Sequence, residues 1–354
     1  MADGSYRETK DSRDGRHPGM TVTRHRHSGK LISIINEQII VRLCYFNLNE
    51  IKYGGLAEEF NIALRDGSIS EQDLSSRDIV FDTMYEGHGS REFHAVIEAL
   101  QQYPWFSTDR AIFKHNTFDQ VSPGINAVSR PAYMVEHAGW FQHHEGLKID
   151  WDTLKRDRFF ICLMRRRSRE RSQLAREIRT NFASDDYYLS YASMINYTAW
   201  DEDAQCQIPI LLDGPTAGEE QHRATDPRFF SPLINLVVET SSQTDEHAWR
   251  SLFVTEKTFK CFAWHQVPIW CAVPDLVKNI RTFGFDMFDD LLDSHRYDDI
   301  QDPVLRMSSM IKTLSQAITH IRSMGIDNFN NMMMPRLRSN YARLKEMVKE
   351  KYIP

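Results

Sequence analysis

A chain of 354 residues exceeds what one hydrophobic core normally organises, so two domains are expected. Its 41% apolar and 26% charged residues are those of a folded globular protein, and a formal net charge of −6 argues against a dedicated nucleic-acid binder. Five cysteines without a CxxC pair argue for a reducing compartment, and no apolar run approaches the ~20 residues that cross a bilayer, so a cytoplasmic protein without a membrane span is expected.

Residues 1–30 are polar and nearly free of apolar side chains, and are expected to be a disordered tail. Order is expected from Leu31, where a run rich in β-branched residues forms one strand or two. Asp78–Asp82 reads as a short buried strand, the Tyr85–Ser90 stretch as a loop, and Phe93, Val96, Ile97 and Leu100 as one face of a helix. Arg110–Lys114 is a further strand. This alternation predicts an α/β, Rossmann-like domain over 31–145, closed by an aperiodic linker at His137–Asp152.

The pattern then restarts. Arg158–Met164 is an almost continuous apolar run, as a central parallel strand requires. A helix with Leu174, Ile178 and Phe182 follows, then a strand at Leu233–Val238, a helix at Glu256–His265 and a strand at Val267–Val273. Asp302-Pro303 opens a helix carrying Met307, Ile311, Leu314, Ile318 and Ile321. A second Rossmann-like domain over 146–325 is predicted, with a C-terminal helix at 326–354.

Four groups of residues could carry chemistry. Arg165 to Arg171 holds five arginines in seven residues after a buried strand. Ligands gather at the carboxyl end of such strands, and guanidinium groups match phosphate oxygens. At Thr255-Glu256-Lys257, Thr255 can cap a helix, which puts Lys257 at the positive end of the helix dipole; an anionic ligand would explain a cation there. Asp201-Glu202-Asp203 is formally a metal-binding DxD, although an isolated acidic loop is its more ordinary reading. Asp82, Glu86 and His88 surround the loop after the second strand and are candidate general bases.

Glu239-Thr240, Thr255-Glu256-Lys257-Thr258-Phe259-Lys260, Pro268-Ile269, Phe283-Gly284-Phe285-Asp286-Met287-Phe288 and Tyr297-Asp298 together resemble the C-terminal half of a glycosyltransferase-like group of viruses, phages and bacteria. The same order is similar to the donor-binding half of α-1,3-fucosyltransferases. The likeness covers about 158–320. It departs where the fucosyltransferase Asn becomes Thr240, and at Ala263-Trp264-His265-Gln266 and Trp270-Cys271-Ala272.

The resemblance implies a GT-B architecture: two Rossmann-like domains face across a cleft, and the last helix packs back across the hinge. It implies that Glu256 contacts a donor ribose, Lys257 and Arg165 or Arg166 its diphosphate, and that Glu239 lies near the donor, with Thr255 and Lys260 in the same motif. The implied reaction is inverting transfer from a nucleoside diphosphate sugar, GDP-fucose or another hexose or deoxyhexose donor, to a glycan hydroxyl. No cofactor or metal is expected beyond the donor substrate, and a monomer or weak dimer is. Two alternatives are a catalytically silent binding module and a metal-dependent transferase using Asp201 and Asp203.

Overall fold

The computed structural model describes residues 31–43, 51, 54–82, 90–115, 123–129, 149–164, 168–191, 199–208, 227–239 and 254–350. The tail at 1–30 and most of the expected linker lie outside them.

The apolar run after Leu31 forms two strands, β1 (Ile32–Ile35) and β2 (Gln38–Arg42). Asn36 and Glu37 take φ values of 49° and 63° between them. Two left-handed residues make the tight turn whose twist matches an antiparallel hairpin, and Ile35 duly pairs with Gln38. Helices α1 (Gly55–Arg65) and α2 (Glu71–Ser76) lead into β3 (Ile79–Asp82). Then come α3 (Ser90–Leu100), β4 (Ala111–His115) and β5 (Ala127–Ser129). The sheet runs β1-β2-β3-β4-β5, parallel from β2 onward. Phe60 of α1, Leu74 of α2 and Phe93 of α3 meet Ile39, Ile79, Phe81 and Phe113 in one core.

A second, separate core begins with β6 (Arg158–Met164) and α4 (Arg169–Asn181). It continues through β7 (Tyr187–Tyr191), the small hairpin β8 (Ala199–Asp201) and β9 (Cys206–Ile208), and β10 (Pro232–Val238). Helix α5 (Glu256–Ala263), β11 (Val267–Cys271), α6 (Leu276–Arg281), α7 (Pro303–Met324) and α8 (Ile326–Glu350) complete it. Helix α5 stops two residues short of the expected His265, because His265 itself turns left-handed at φ 51° and ends the helix. Asp302 caps α7 as its sequence predicts, accepting hydrogen bonds from the backbone of Val304 and Leu305. Helix α8 contributes Phe329, Met333, Leu337, Leu344 and Met347 to this second core.

The second sheet is wholly parallel, in the order β11-β10-β6-β7. The chain moves outward from β6 to β7, then returns to the other side of β6 to lay down β10. Parallel crossovers are right-handed as a rule, so steps in opposite directions lay their helices on opposite faces, and β10 is buried along its whole length. The strand order reverses between the carboxyl ends of β6 and β10, and in such sheets the crevice at that point is where ligands bind. Among the described residues, no helix is long and apolar enough to cross a membrane.

Candidate functional site

Of the two motifs singled out in the sequence, the start of α5 is described in full along its backbone and the arginine run only from residue 168 onward. Strand β6 ends at Met164, directly before Arg165, Arg166 and Arg167, which lie outside the described residues. The arginine run does not form one patch. Ser168 caps α4 through its hydroxyl, which sends Arg169 to solvent and Arg171 inward. Buried Arg171 donates from Nη2 to the Glu239 carbonyl at 3.2 Å and so stitches α4 to the end of β10.

On the other side of the crevice, β10 runs out at Glu239, whose backbone N–H bonds the Cys271 carbonyl of β11 at 3.1 Å. The Glu239 carboxylate is fully buried. Its Oε2 accepts the Thr255 hydroxyl at 2.6 Å. Its Oε1 accepts the Thr258 hydroxyl at 2.5 Å and the backbone N–H groups of Thr258 and Thr255 at 3.1 and 3.3 Å. A carboxylate from β10 therefore occupies the amino terminus of α5. Burying a charge this deeply costs heavily unless it is hydrogen-bonded, and four donors plus the positive end of the helix meet that need.

The placement of Lys257 now has an internal reason. Its Nζ lies 3.0 Å from the Thr255 hydroxyl oxygen, one hydrogen bond removed from the Glu239 carboxylate. The negative charge that its position calls for is supplied in part by the protein itself. Lys257 stays half-buried at the crevice, whereas Lys260, one turn on, is buried. Glu256 opens α5, but its side chain is outside the described residues.

The rest of the motif set packs. Phe285 stacks on Phe262 of α5, with centroids 4.0 Å apart and planes within 7°. The Tyr297 hydroxyl accepts the Trp270 backbone N–H at 3.1 Å and contacts the His295 Nδ1 at 2.9 Å, while the His295 Nε2 meets the Met287 carbonyl at 2.7 Å. Burial pushes the His295 imidazole down to about 4, so it is neutral in the folded chain. Burial also raises the Asp298 carboxyl, against two backbone N–H groups of α6 that it accepts. Where the sequence departs from the family pattern, Trp264, His265 and Gln266 are buried at the opposite, amino edge of the sheet, and His265 sits between the rings of Trp151 and Tyr341.

Of the candidate bases, Glu86 and His88 lie outside the described residues. Asp82 ends β3, half-buried, in register between Arg42 of β2 and Lys114 of β4. The acidic triplet behaves structurally. Fully buried Asp201 accepts the Tyr191 hydroxyl at 2.6 Å and the Ser172 hydroxyl at 3.0 Å on Oδ2, and two backbone N–H groups at 3.0 Å on Oδ1. Its lone pairs are engaged, while Asp203 faces solvent, so the pair does not form a metal clamp. No group of three His, Cys, Asp or Glu among the described residues could hold a metal ion.

A small cavity of about 40 Å³ lies beyond Cys271, walled by Glu170, Gln173, Trp270, Arg306 and Met310. At roughly 10–15 Å³ per water it has room for a few solvent molecules and none for a nucleobase ring. No family model, curated protein or solved structure matches the chain.

Proposed function

We propose that the chain is a glycosyltransferase that moves a hexose or deoxyhexose from a nucleoside diphosphate sugar to a glycan hydroxyl. In this reading two Rossmann-like domains, 31–145 and 146–325, face one another across a cleft, and the second binds the donor. The observation that supports it is the strand order β11-β10-β6-β7, in which β6, the strand that precedes the arginine turn in sequence, lies beside β10, the strand before α5. Departure of a nucleoside diphosphate develops negative charge. Arg165, Arg166 and Lys257 stabilise it electrostatically, with no need for a divalent ion, and Glu256 holds the ribose. Asp82, Glu86 or His88 takes the proton from the acceptor hydroxyl, and the anomeric configuration inverts.

Separate Glu256→Ala and Lys257→Ala variants, titrated calorimetrically with GDP and UDP, test the donor site. Each is expected to weaken binding by roughly tenfold or more, the scale of a lost charge-assisted hydrogen bond. If both bind as the parent does, the reading is abandoned. Free sugar released slowly from a GDP- or UDP-sugar, followed by NMR, separates a transferase from a silent nucleotide-binding module.

A further inference from the structure

The resemblance places Glu239 near the donor, but its carboxylate has no exposed surface and both oxygens are bonded to α5. We propose that Glu239, Thr255 and Thr258 are positioning residues, forming a clamp that fixes the start of α5 and, through the Thr255 hydroxyl, the ammonium of Lys257. This rests on the donor site proposed above and assigns to Thr258 a role that the site motif does not.

The geometry is that of a relay. The Thr255 hydroxyl donates a hydrogen bond to Glu239 Oε2 at 2.6 Å, which leaves its oxygen lone pairs free to accept from Lys257. Lys257 Nζ donates to that oxygen at 3.0 Å, and the Lys257 backbone N–H approaches it at 3.3 Å. Hydrogen bonds in such a chain polarise one another, so the buried carboxylate strengthens the acceptor that holds the ammonium. Thr258 closes the other side by gripping Oε1 with both its hydroxyl and its backbone N–H. Without that grip the carboxylate could swing away from Thr255, and the lysine would lose its anchor. A long, flexible side chain ordered before the ligand arrives loses less entropy on binding, so the clamp raises affinity for a diphosphate that it never touches.

The test is calorimetric binding of UDP and GDP to the parent and to Lys257→Ala, Thr258→Val, Thr258→Ser and the Lys257→Ala/Thr258→Val double variant. Thermal melts are run alongside to show that each is folded. Thr258→Val, which deletes the hydroxyl at constant shape, is expected to weaken binding about tenfold, and Thr258→Ser to restore it. The double variant is expected to bind no more weakly than Lys257→Ala alone, because the clamp acts through that lysine. A merely structural role would lower the melting temperature without this non-additivity. If Lys257→Ala weakens binding and Thr258→Val does not, or the two losses add, the clamp is wrong and the donor site stands. If Lys257→Ala binds as the parent does, the clamp falls, and the donor site falls with it only if Glu256→Ala also binds as the parent does. Should Thr258→Val fail to fold, Glu239→Gln replaces it, with the same loss and the same non-additivity expected.

Discussion

The two edges of the second sheet each bury a charge, and they solve the problem in opposite ways. At the amino edge, Arg156 donates to the carbonyls of Phe230, Pro232 and His265 at 2.5, 3.1 and 2.7 Å and to the Asn330 side chain at 3.0 Å. Among the described residues no carboxylate pairs with it there, and burial pushes its guanidinium down to about 10, still charged at neutral pH. All these acceptors are fixed by the ends of β10, α5 and α8, so this edge is closed. At the carboxyl edge, Glu239 is satisfied by the start of a single helix, and the same hydroxyl that satisfies it also holds a lysine at the crevice. A buried charge whose partners are neutral carbonyl oxygens, three of the backbone and one of the Asn330 amide, is a structural rivet. One whose partner is shared with a half-buried cation is coupled to a side chain that solvent still reaches. The first sheet, whose strands follow in simple order, has no strand reversal among its described strands.

The sharpest way to break this contrast is Arg156→Met. It leaves the Phe230 and His265 carbonyls and the Asn330 oxygen without this donor, while Pro232 keeps the Gln266 amide, and the expected loss is about 3 kcal/mol or more in urea unfolding. A loss under ~1 kcal/mol would mean that water replaces the guanidinium, and the edge would not be closed.

A comparable effect comes from His295. Its folded-state pKa lies below the ordinary histidine value, so the unfolded chain binds the extra proton more readily. Stability is full above about pH 6.5 and falls as pH drops towards 4, by on the order of 3 kcal/mol from this group. Urea melts of the parent and His295→Gln across that range should converge as the pH falls. Parallel curves would show that the imidazole titrates freely.

The smallest effect is expected where charge is partly exposed. Arg336 bridges Asp286 and Asp290, with bonds of 2.6–2.9 Å and about a third of its side chain in solvent. Arg336→Gln should cost about 1 kcal/mol, less at high salt, as thermal unfolding at two ionic strengths would show. A cost that ignores salt would place this bridge with the buried pairs.

Much of the fold was legible because its signals are local. The strand Arg158–Met164 and the capped helix at Asp302-Pro303 are where periodicity and capping chemistry put them, and the strand expected over Val267–Val273 is found over Val267–Cys271. Helix α1 is hard to read from sequence, although Leu56, Phe60 and Ala63 carry its spacing, because a left-handed Gly54 opens it without a side-chain cap. Strand β7 is obscured because its half-exposed tyrosines blur the apolar run. The hairpin in the Leu31 run is not decided by the sequence, since Asn36-Glu37 is a weak turn signal and only the backbone geometry resolves it.

The sequence by itself determined the helix start at Thr255, the strand before the arginine turn, and the oddity of Lys257 at a positive helix end. Each depends on neighbours within a turn or two. What tertiary structure alone decided was the partnership. Glu239 lies 16 residues from Thr255 and 19 from Thr258, and the reach of its carboxylate into α5 follows from the order of the strands. Likewise, Arg171 turns inward and Asp201 vanishes into hydrogen bonds with Tyr191 and Ser172, which no spacing rule foretells. Burial makes a polar group find its partners, and which partners are in reach is set by packing between segments distant in the chain.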